Sequence, residues 1–536
     1  MSMQSDRDSA WPLRPVALCL LIAVLLGAAL RLYHLAECSI WYDEGASLYL
    51  RHLVDAHGTI LDPHENNEAP MNAVLTRIWY DGIVRSLTHY PVTSAQNDFL
   101  IRLMPCLLSI FSIPLVFVVA RRVLQDPWAG VIAALLFAVS PYQIKYAQEL
   151  RIYAFYTFIG LLALYCLLRA LDENRTWAWI GLVALLSLAV YSHFFAVWTI
   201  FSFNAYYLCV IWPYRRHFWR WVAANVAILV LIAYALKLAF FMNEVVKSLV
   251  YTWYPNPTWK SVFITFKTLM AGYGPSVWAY WPLFLITFGL FLLGVAAQYK
   301  RWTAGALLAL LTFVPIIANA ILWSHRHFSF YEDRLFIFSG AVGVMGVAAG
   351  LRALKKPWLT GLGLAAIAAF TMPCLNDYYA HRVHPVPSHN MGIWDKVDCR
   401  AAAAYLQSNL KEGDVVGLAS HFTMYPFKHY LDWPKICRLG DSRHDETVFI
   451  KTQGNAPLLR SHGLMPVPKE EATRDARRVW FVETFGRTFD WQPTTDLIRH
   501  WLDEHWAATE RHTFHGLHVT LYERKATQPS TSGPPS

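Results

Sequence analysis

VALCLLIAVLLGAAL, residues Val16 to Leu30, contains no charge. With its flanks it approaches the roughly 17 to 25 residues that a helix needs to cross a hydrocarbon core. Polar residues precede it and no small-residue cleavage pattern follows, so it reads as a retained membrane helix rather than a signal peptide. Similar runs recur at Leu103 to Ala120, Trp128 to Ile144, Ile152 to Leu168, Trp221 to Leu236, Pro282 to Gln298, Trp302 to Trp323, Leu335 to Leu351 and Trp358 to Leu375. Trp177 to Tyr214 is too long for one span, and Ser192-His193 divides it into two helices joined by a turn. The spacing therefore predicts eleven spans in residues 1–375, followed by a soluble region. A composition of 55% hydrophobic and 15% charged residues over 536 positions belongs to the membrane class.

Basic residues set the expected orientation, because Lys and Arg in short loops concentrate on the cytosolic side. With the amino terminus inside, the cytosolic connections carry Arg121-Arg122, Arg169 with Arg175, Arg215-Arg216 with Arg220, Lys300-Arg301, and Arg352 with Lys355-Lys356. All five agree. They account for much of the net charge of +9, and no basic face of a soluble domain points to nucleic acid. The agreement requires Met71 to Tyr90 to lie on the interface rather than cross. Arg77, Asp81 and Arg85 recur there every four residues and so share one helical face. Interfacial helices are accordingly expected in the first outer loop, about residues 41–100.

From Asn376 onward charges return and apolar residues fall in short pieces. Residues 376–525 are enough for one domain. Ala401 to Asn409 and Leu497 to His505 read as helices, and Val415 to Ala419, Arg478 to Val482 and His518 to Tyr522 as strands. The fold class expected is mostly α: a polytopic membrane helical bundle with a C-terminal soluble α/β domain on the outer side. Residues 526–536, ATQPSTSGPPS, lack material for a core and read as a disordered tail. Of eight cysteines, Cys399 and Cys437 are the pair singled out for a disulfide, and no zinc-like Cys/His spacing occurs.

The outer boundary gathers the ionisable residues. Trp41-Tyr42-Asp43-Glu44-Gly45 follows the first span, Glu65 and Glu68 come next, Lys145 through Arg151 join spans three and four, His193 joins five and six, and Arg326 through Arg334 joins nine and ten. Carboxylates and cations facing one another suit deprotonation of a hydroxyl while an anionic leaving group is held, and phosphate is the natural anion. Each residue also has a plain reading. Asp43-Glu44 can be a solvated loop, Trp41 and Tyr42 interfacial anchors, and Arg151 and Arg334 snorkelling side chains. His193 is harder to dismiss, since ionisable groups at membrane depth are rare.

Trp41-Tyr42-Asp43-Glu44, Glu68-Ala69-Pro70, Ser140-Pro141, the run Tyr146-Ala147-Gln148-Glu149-Leu150-Arg151-Ile152-Tyr153 and Tyr191-Ser192-His193-Phe194 resemble landmarks of the GT-C integral-membrane glycosyltransferases. The nearest branch is family 39, which contains protein O-mannosyltransferases and aminoarabinose transferases. The resemblance spans about residues 15 to 350. It implies a polyprenyl-phosphate-linked sugar as donor, an extracytoplasmic acceptor hydroxyl, inversion at the anomeric carbon, and a bacterial inner membrane with the site on the periplasmic side. It implies Asp43 as general base beside Glu44 in a catalytic pair, with Arg151, Tyr153 and Arg334 facing the donor phosphate. Glu68, Tyr146, Gln148 and His193 complete the active face.

Glu68 and His193 are also two potential ligands of a divalent cation, set against a simple ion pair; no other cofactor is expected. Three motifs depart from the family pattern. Paired prolines are reduced to Ala69-Pro70, Ser-Gln-Glu-Ala-Arg is Ala-Gln-Glu-Leu-Arg, and Arg-Tyr near span ten is Arg334-Leu335, which weakens the case for Arg334. Two other classes compete, a lipid or glycan transporter and a non-catalytic assembly protein. A transporter would place polar residues in mid-span or in matched broken helices, whereas here they collect at one boundary.

Overall fold

The computed structural model describes residues 13–51, 69–87, 92–247, 256–325, 331–383, 396–440, 466–484 and 492–525. In chain order the principal helices of the bundle are α1 (Leu13–Leu32), α2 (Tyr42–Leu50), α3 (Pro70–Trp79), α4 (Ala95–Leu124), α5 (Pro127–Val139), α6 (Pro141–Ala147), α7 (Tyr153–Glu173), α8 (Thr176–Ser192), α9 (Val197–Cys209), α10 (Phe218–Lys247), α11 (Trp259–Ala271), α12 (Trp281–Ala297), α13 (Trp302–Ser324), α14 (Ile337–Ala353) and α15 (Pro357–Tyr379). Seven of the described helices are long and apolar enough to cross a membrane, and the bent pair α5–α6 makes eight. Three shorter apolar helices, Thr176–Ser192, Phe194–Cys209 and Trp281–Ala297, fall on the remaining expected spans. The chain is thus an integral membrane protein built mostly from helices.

Two elements differ from expectation in ways that shape the end of the bundle that carries Asp43. Helix α4 begins at Ala95 rather than Leu103, started by Ser94, whose Oγ accepts the Asn97 N–H at 3.2 Å. Its 30 residues give about 45 Å of helix, well beyond a hydrocarbon core of about 30 Å, so its first turns stand clear of the lipid. The third span is broken: α6 leaves α5 at 59°. Pro141 cannot continue the hydrogen-bond ladder, and Ser140 restarts it by accepting the Gln143 N–H. Arg31, fully buried at the end of α1, donates to the carbonyls freed at the break, Ala138 O at 2.7 Å and Phe137 O at 3.2 Å. The bend swings Lys145 through Arg151 across the end of the bundle.

At the opposite end the basic connections meet one another. Arg122 reaches Asp172 and Glu173, Arg220 bonds Asn174, Arg301 bonds the Leu124 carbonyl, and Arg352 pairs with Asp126. Between the two ends α12 crosses α14 so closely that a Cβ at Gly294 or Gly350 would strike the facing backbone, the small-residue contact typical of membrane helices. The Met71 to Tyr90 segment is helical from Pro70 to Leu87 and is not among the spanning helices. A π turn at Tyr80–Val84 interrupts its four-residue register, and Asp81 pairs with both Arg51 and Arg85.

The C-terminal domain contains α16 (Cys399–Asn409), β1 (Val415–Leu418), α17 (His421–Tyr430), β2 (Ile436–Gly440), β3 (Pro466–Pro468), β4 (Arg478–Thr484), α18 (Gln492–His505), β5 (Trp506–Phe514) and β6 (Leu517–Arg524). Its sheet runs β3-β2-β1-β4-β6-β5. β1 pairs in parallel with β2 and β4, whereas β6 lies antiparallel between β4 and β5. The expected α/β class and its five elements are present; α17, β2, β3 and β5 are additional. Neither Cys399 nor Cys437 is in a disulfide in this structure, so the expected pairing is not found.

This domain rests on α2. Tyr425 of α17 packs against Tyr42 and Tyr49, with ring centroids 5.2 and 5.3 Å apart. Gly45 permits the approach, since a Cβ there would come within 2.9 Å of Tyr425 and 3.1 Å of the Pro426 nitrogen. Asp98, at the raised start of α4, accepts from Tyr430 Oη at 2.6 Å and Arg400 Nη1 at 2.7 Å. An alkaline phosphatase reporter fused after Tyr522 is therefore expected to be active, on the side of Asp43. Activity confined to a cytosolic reporter at that position would reverse the orientation.

Candidate active site

Successive residues of a helix point about 100° apart, so Asp43 and Glu44 in the first turn of α2 have different surroundings. Glu44 turns inward and is 0% exposed. Arg102 of α4 grips it with two bonds, Nε to Oε1 at 2.8 Å and Nη2 to Oε2 at 2.7 Å. The remaining Arg102 donors reach the carbonyls of Leu35, Cys38 and Ser39. Glu44 also accepts the backbone N–H groups of Trp41 at 3.3 Å and Leu150 at 2.9 Å. Burial disfavours its charge, yet Arg102, joined by Lys396, holds the carboxyl down to about 2. One buried ion pair thus joins the connection between α1 and α2, α2 itself, α4 and the chain just before Arg151.

Asp43 faces the other way. Arg334 Nη1 lies 2.8 Å from Asp43 Oδ2, and Arg151 Nε lies 3.9 Å from the same oxygen. Arg151 Nη1 also donates to the Asp43 carbonyl at 3.2 Å and to Ser47 Oγ at 3.0 Å. Arg334 pairs in addition with Glu332, a buried residue. The Tyr153 ring lies 6.0 Å from the Arg334 guanidinium and 5.8 Å from the His193 ring, which stacks on Tyr156. Burial first, then the positive charges of Arg334 and Arg151, draw the His193 imidazole down to about 3. The charged form of the imidazole is thereby disfavoured.

Asp43, Arg151, Arg334, Tyr153 and His193, read from four separate stretches of sequence, therefore meet. Two other candidates, Glu44 and Gln148, are taken up by structural contacts, while Tyr146 packs edge-to-face against Tyr153, with ring centroids 5.0 Å apart. Glu44, placed in the catalytic pair, is an enclosed anchor with no face toward Asp43's surroundings. Gln148 has its amide taken up by structure: Nε2 donates to the Arg31 and Tyr33 carbonyls, and Oε1 accepts from Tyr378. It pins the bent segment to α1 and α15. Tyr146 is fully buried, its hydroxyl 2.7 Å from that of Tyr273. Glu68 lies outside the described residues, and with it the cation pairing of Glu68 and His193. Among the described residues no group of three or more His, Cys, Asp or Glu side chains is placed to hold a metal ion.

Residues not singled out from sequence complete the frame. Arg102 lies one position before the expected second span and Ser47 shortly after Gly45, and neither was assigned a role from sequence. Glu332 was one charge among several in the loop before span ten. Its proximity to Arg334 was visible, but the spacing alone does not say which carboxylate a guanidinium will choose.

Residues 91–240 match the family described as dolichyl-phosphate-mannose-protein mannosyltransferase. Among solved structures, the chain is similar to ArnT from Cupriavidus metallidurans in the apo state, at 14% identity and TM-score 0.59, covering 95% of this chain and 98% of that one. The same protein bound to undecaprenyl phosphate gives 13% identity and TM-score 0.57, over 98% and 100%. The archaeal oligosaccharyltransferase AglB from Archaeoglobus fulgidus, in complex with an inhibitory peptide and a dolichol-phosphate, gives 13% and 0.51, over 97% and 76%. A search of curated proteins found no match. The chain has the GT-C fold that its motifs resembled.

Proposed function

We propose that this protein transfers a sugar from a polyprenyl-phosphate donor to a hydroxyl of an extracytoplasmic acceptor, with Asp43 as general base and Arg151 and Arg334 as the donor-phosphate ligands. The observation that carries the reading is the convergence of both arginines on the Asp43 carboxylate at the end of the bundle that bears the C-terminal domain. The fold shared with ArnT and AglB supports it. Asp43 takes the proton of the acceptor hydroxyl, whose oxygen forms a bond to the anomeric carbon. The bond from that carbon to the phosphate oxygen breaks, and its electron pair leaves with polyprenyl phosphate. Bidentate guanidinium groups suit the charge gathering on that phosphate. A single displacement inverts the anomeric centre. Tyr153 and His193 lie beside Arg334 and would back the bound donor.

The test is release of polyprenyl phosphate, followed by mass spectrometry, when purified protein meets a panel of polyprenyl-phosphate-linked sugars and an envelope extract as acceptor. Release from at least one donor, dependent on the extract, is expected. Movement of the intact donor across proteoliposomes without cleavage would replace the transferase by a transporter.

A further inference from the structure

We infer that Asp43 is the resident counter-ion of the donor-phosphate arginines, so that seating the donor and freeing the base are a single ion exchange. This rests on the proposed transferase reading. A general base must offer an oxygen lone pair to the acceptor hydroxyl. In this structure Asp43 Oδ2 is directed at the cations instead, 2.8 Å from Arg334 Nη1 and 3.9 Å from Arg151 Nε. The three side chains are only 18%, 12% and 11% exposed, so water screens the contact weakly. The carboxylate that must act on the acceptor and the cations that must hold the donor are thus bound to each other.

A phosphate oxygen entering this site competes with Asp43 Oδ2 for the same N–H groups. It has the advantage of several acceptor oxygens matched to the guanidinium fork. Once Arg334 has turned to the phosphate, Oδ2 is released toward the acceptor. The geometry keeps Arg334 in place during the exchange: Glu332 retains its own bond to Arg334, and Arg151 stays on Ser47 and the Asp43 carbonyl. Binding is therefore ordered, donor before acceptor. The end of the cycle follows the same logic. Asp43 leaves the chemical step protonated, and only after it loses that proton does its carboxylate return to the arginines and displace polyprenyl phosphate.

The test measures binding of undecaprenyl phosphate to full-length protein in lipid nanodiscs, by native mass spectrometry, with no turnover required. Removing the internal competitor tightens binding, so Asp43→Asn is expected to gain roughly tenfold in affinity. Arg334→Gln loses affinity, and Asp43→Asn combined with Arg334→Gln is no tighter than Arg334→Gln alone. Asp43→Ala repeats the measurement should the asparagine variant fail to fold, as judged by its melting temperature. Unchanged or weaker binding in the Asp43 variants, with Arg334→Gln still impaired, overturns the counter-ion and leaves the phosphate site standing. Wild-type affinity in both Arg334→Gln and Arg151→Gln removes the phosphate site itself, and the proposed function with it.

Discussion

Arg102→Met is expected to lower stability by about 3–5 kcal/mol and to loosen the chain between α1 and α2 around Asp43, because it leaves Glu44 charged and enclosed. Side-chain exposures of 1% for Arg102 and 0% for Glu44 leave no route for water to replace the guanidinium. The lost donors also serve the Leu35, Cys38 and Ser39 carbonyls, so one substitution frees several buried acceptors. Thermal melting in detergent checks the stability, and limited proteolysis between α1 and α2 checks the loop. Glu44→Gln combined with Arg102→Met should recover part of the loss, since neither charge is then buried alone. The pH dependence has a definite sign. The folded carboxyl lies at about 2, below its ordinary value near 4.5, so its contribution is complete above pH 4.5 and disappears as pH falls toward 2. An Arg102→Met protein that melts like the wild type would show that Glu44 is not the anchor described.

The bundle was legible because apolar runs carry their own measure: a charge-free stretch of the right length has few other places to go. Every expected span falls on an apolar helix. What failed was local. Ser140-Pro141 was quoted as a motif yet read straight through, although proline at that point breaks the ladder and turns the chain by 59°. Asp98 and Arg102 precede the expected span at Leu103, whereas the helix includes both and each is paired. In the C-terminal domain, Trp506–Phe514 is largely exposed along an edge of the sheet, so its sequence shows little of the alternation that marks a half-buried strand.

The site was legible as a set and less so in its roles. Motif resemblance brought forward Asp43, Arg151, Tyr153, His193 and Arg334, and all five meet. The weaker case made for Arg334, on the grounds of Leu335 where relatives have tyrosine, is not reflected in position: it makes the shortest contact with Asp43. Resemblance set Asp43 as base and Glu44 beside it in one catalytic pair, two carboxylates one residue apart. The separation comes from the helix, which sends one to Arg102 and the other to Arg334. Gln148 shares the motif with Arg151 but serves the bend that carries it, while Tyr146 packs behind Tyr153. A motif of this kind records the geometry of its own support as well as its chemistry.

Asp43→Asn should reduce turnover by roughly 10²–10⁴-fold while leaving the protein folded, the range expected when a positioned general base is lost. The substitution keeps the side chain's size and its acceptor oxygen for Arg334, so the fold, held by Glu44 and Arg102, has no reason to change. Melting temperature and turnover therefore separate. The Michaelis constant for the donor adds a second axis. If Asp43 merely held the arginines apart, its loss would weaken donor binding and raise that constant along with the fall in turnover. If it is both base and counter-ion, turnover falls while the constant for the donor drops or stays level, the pattern of a group that opposes ground-state binding and assists the transition state. Asp43→Glu, which restores a carboxylate on a longer stem, should recover part of the rate. Full activity in Asp43→Asn would remove Asp43 from the mechanism and leave its salt bridge to Arg334 as a structural contact.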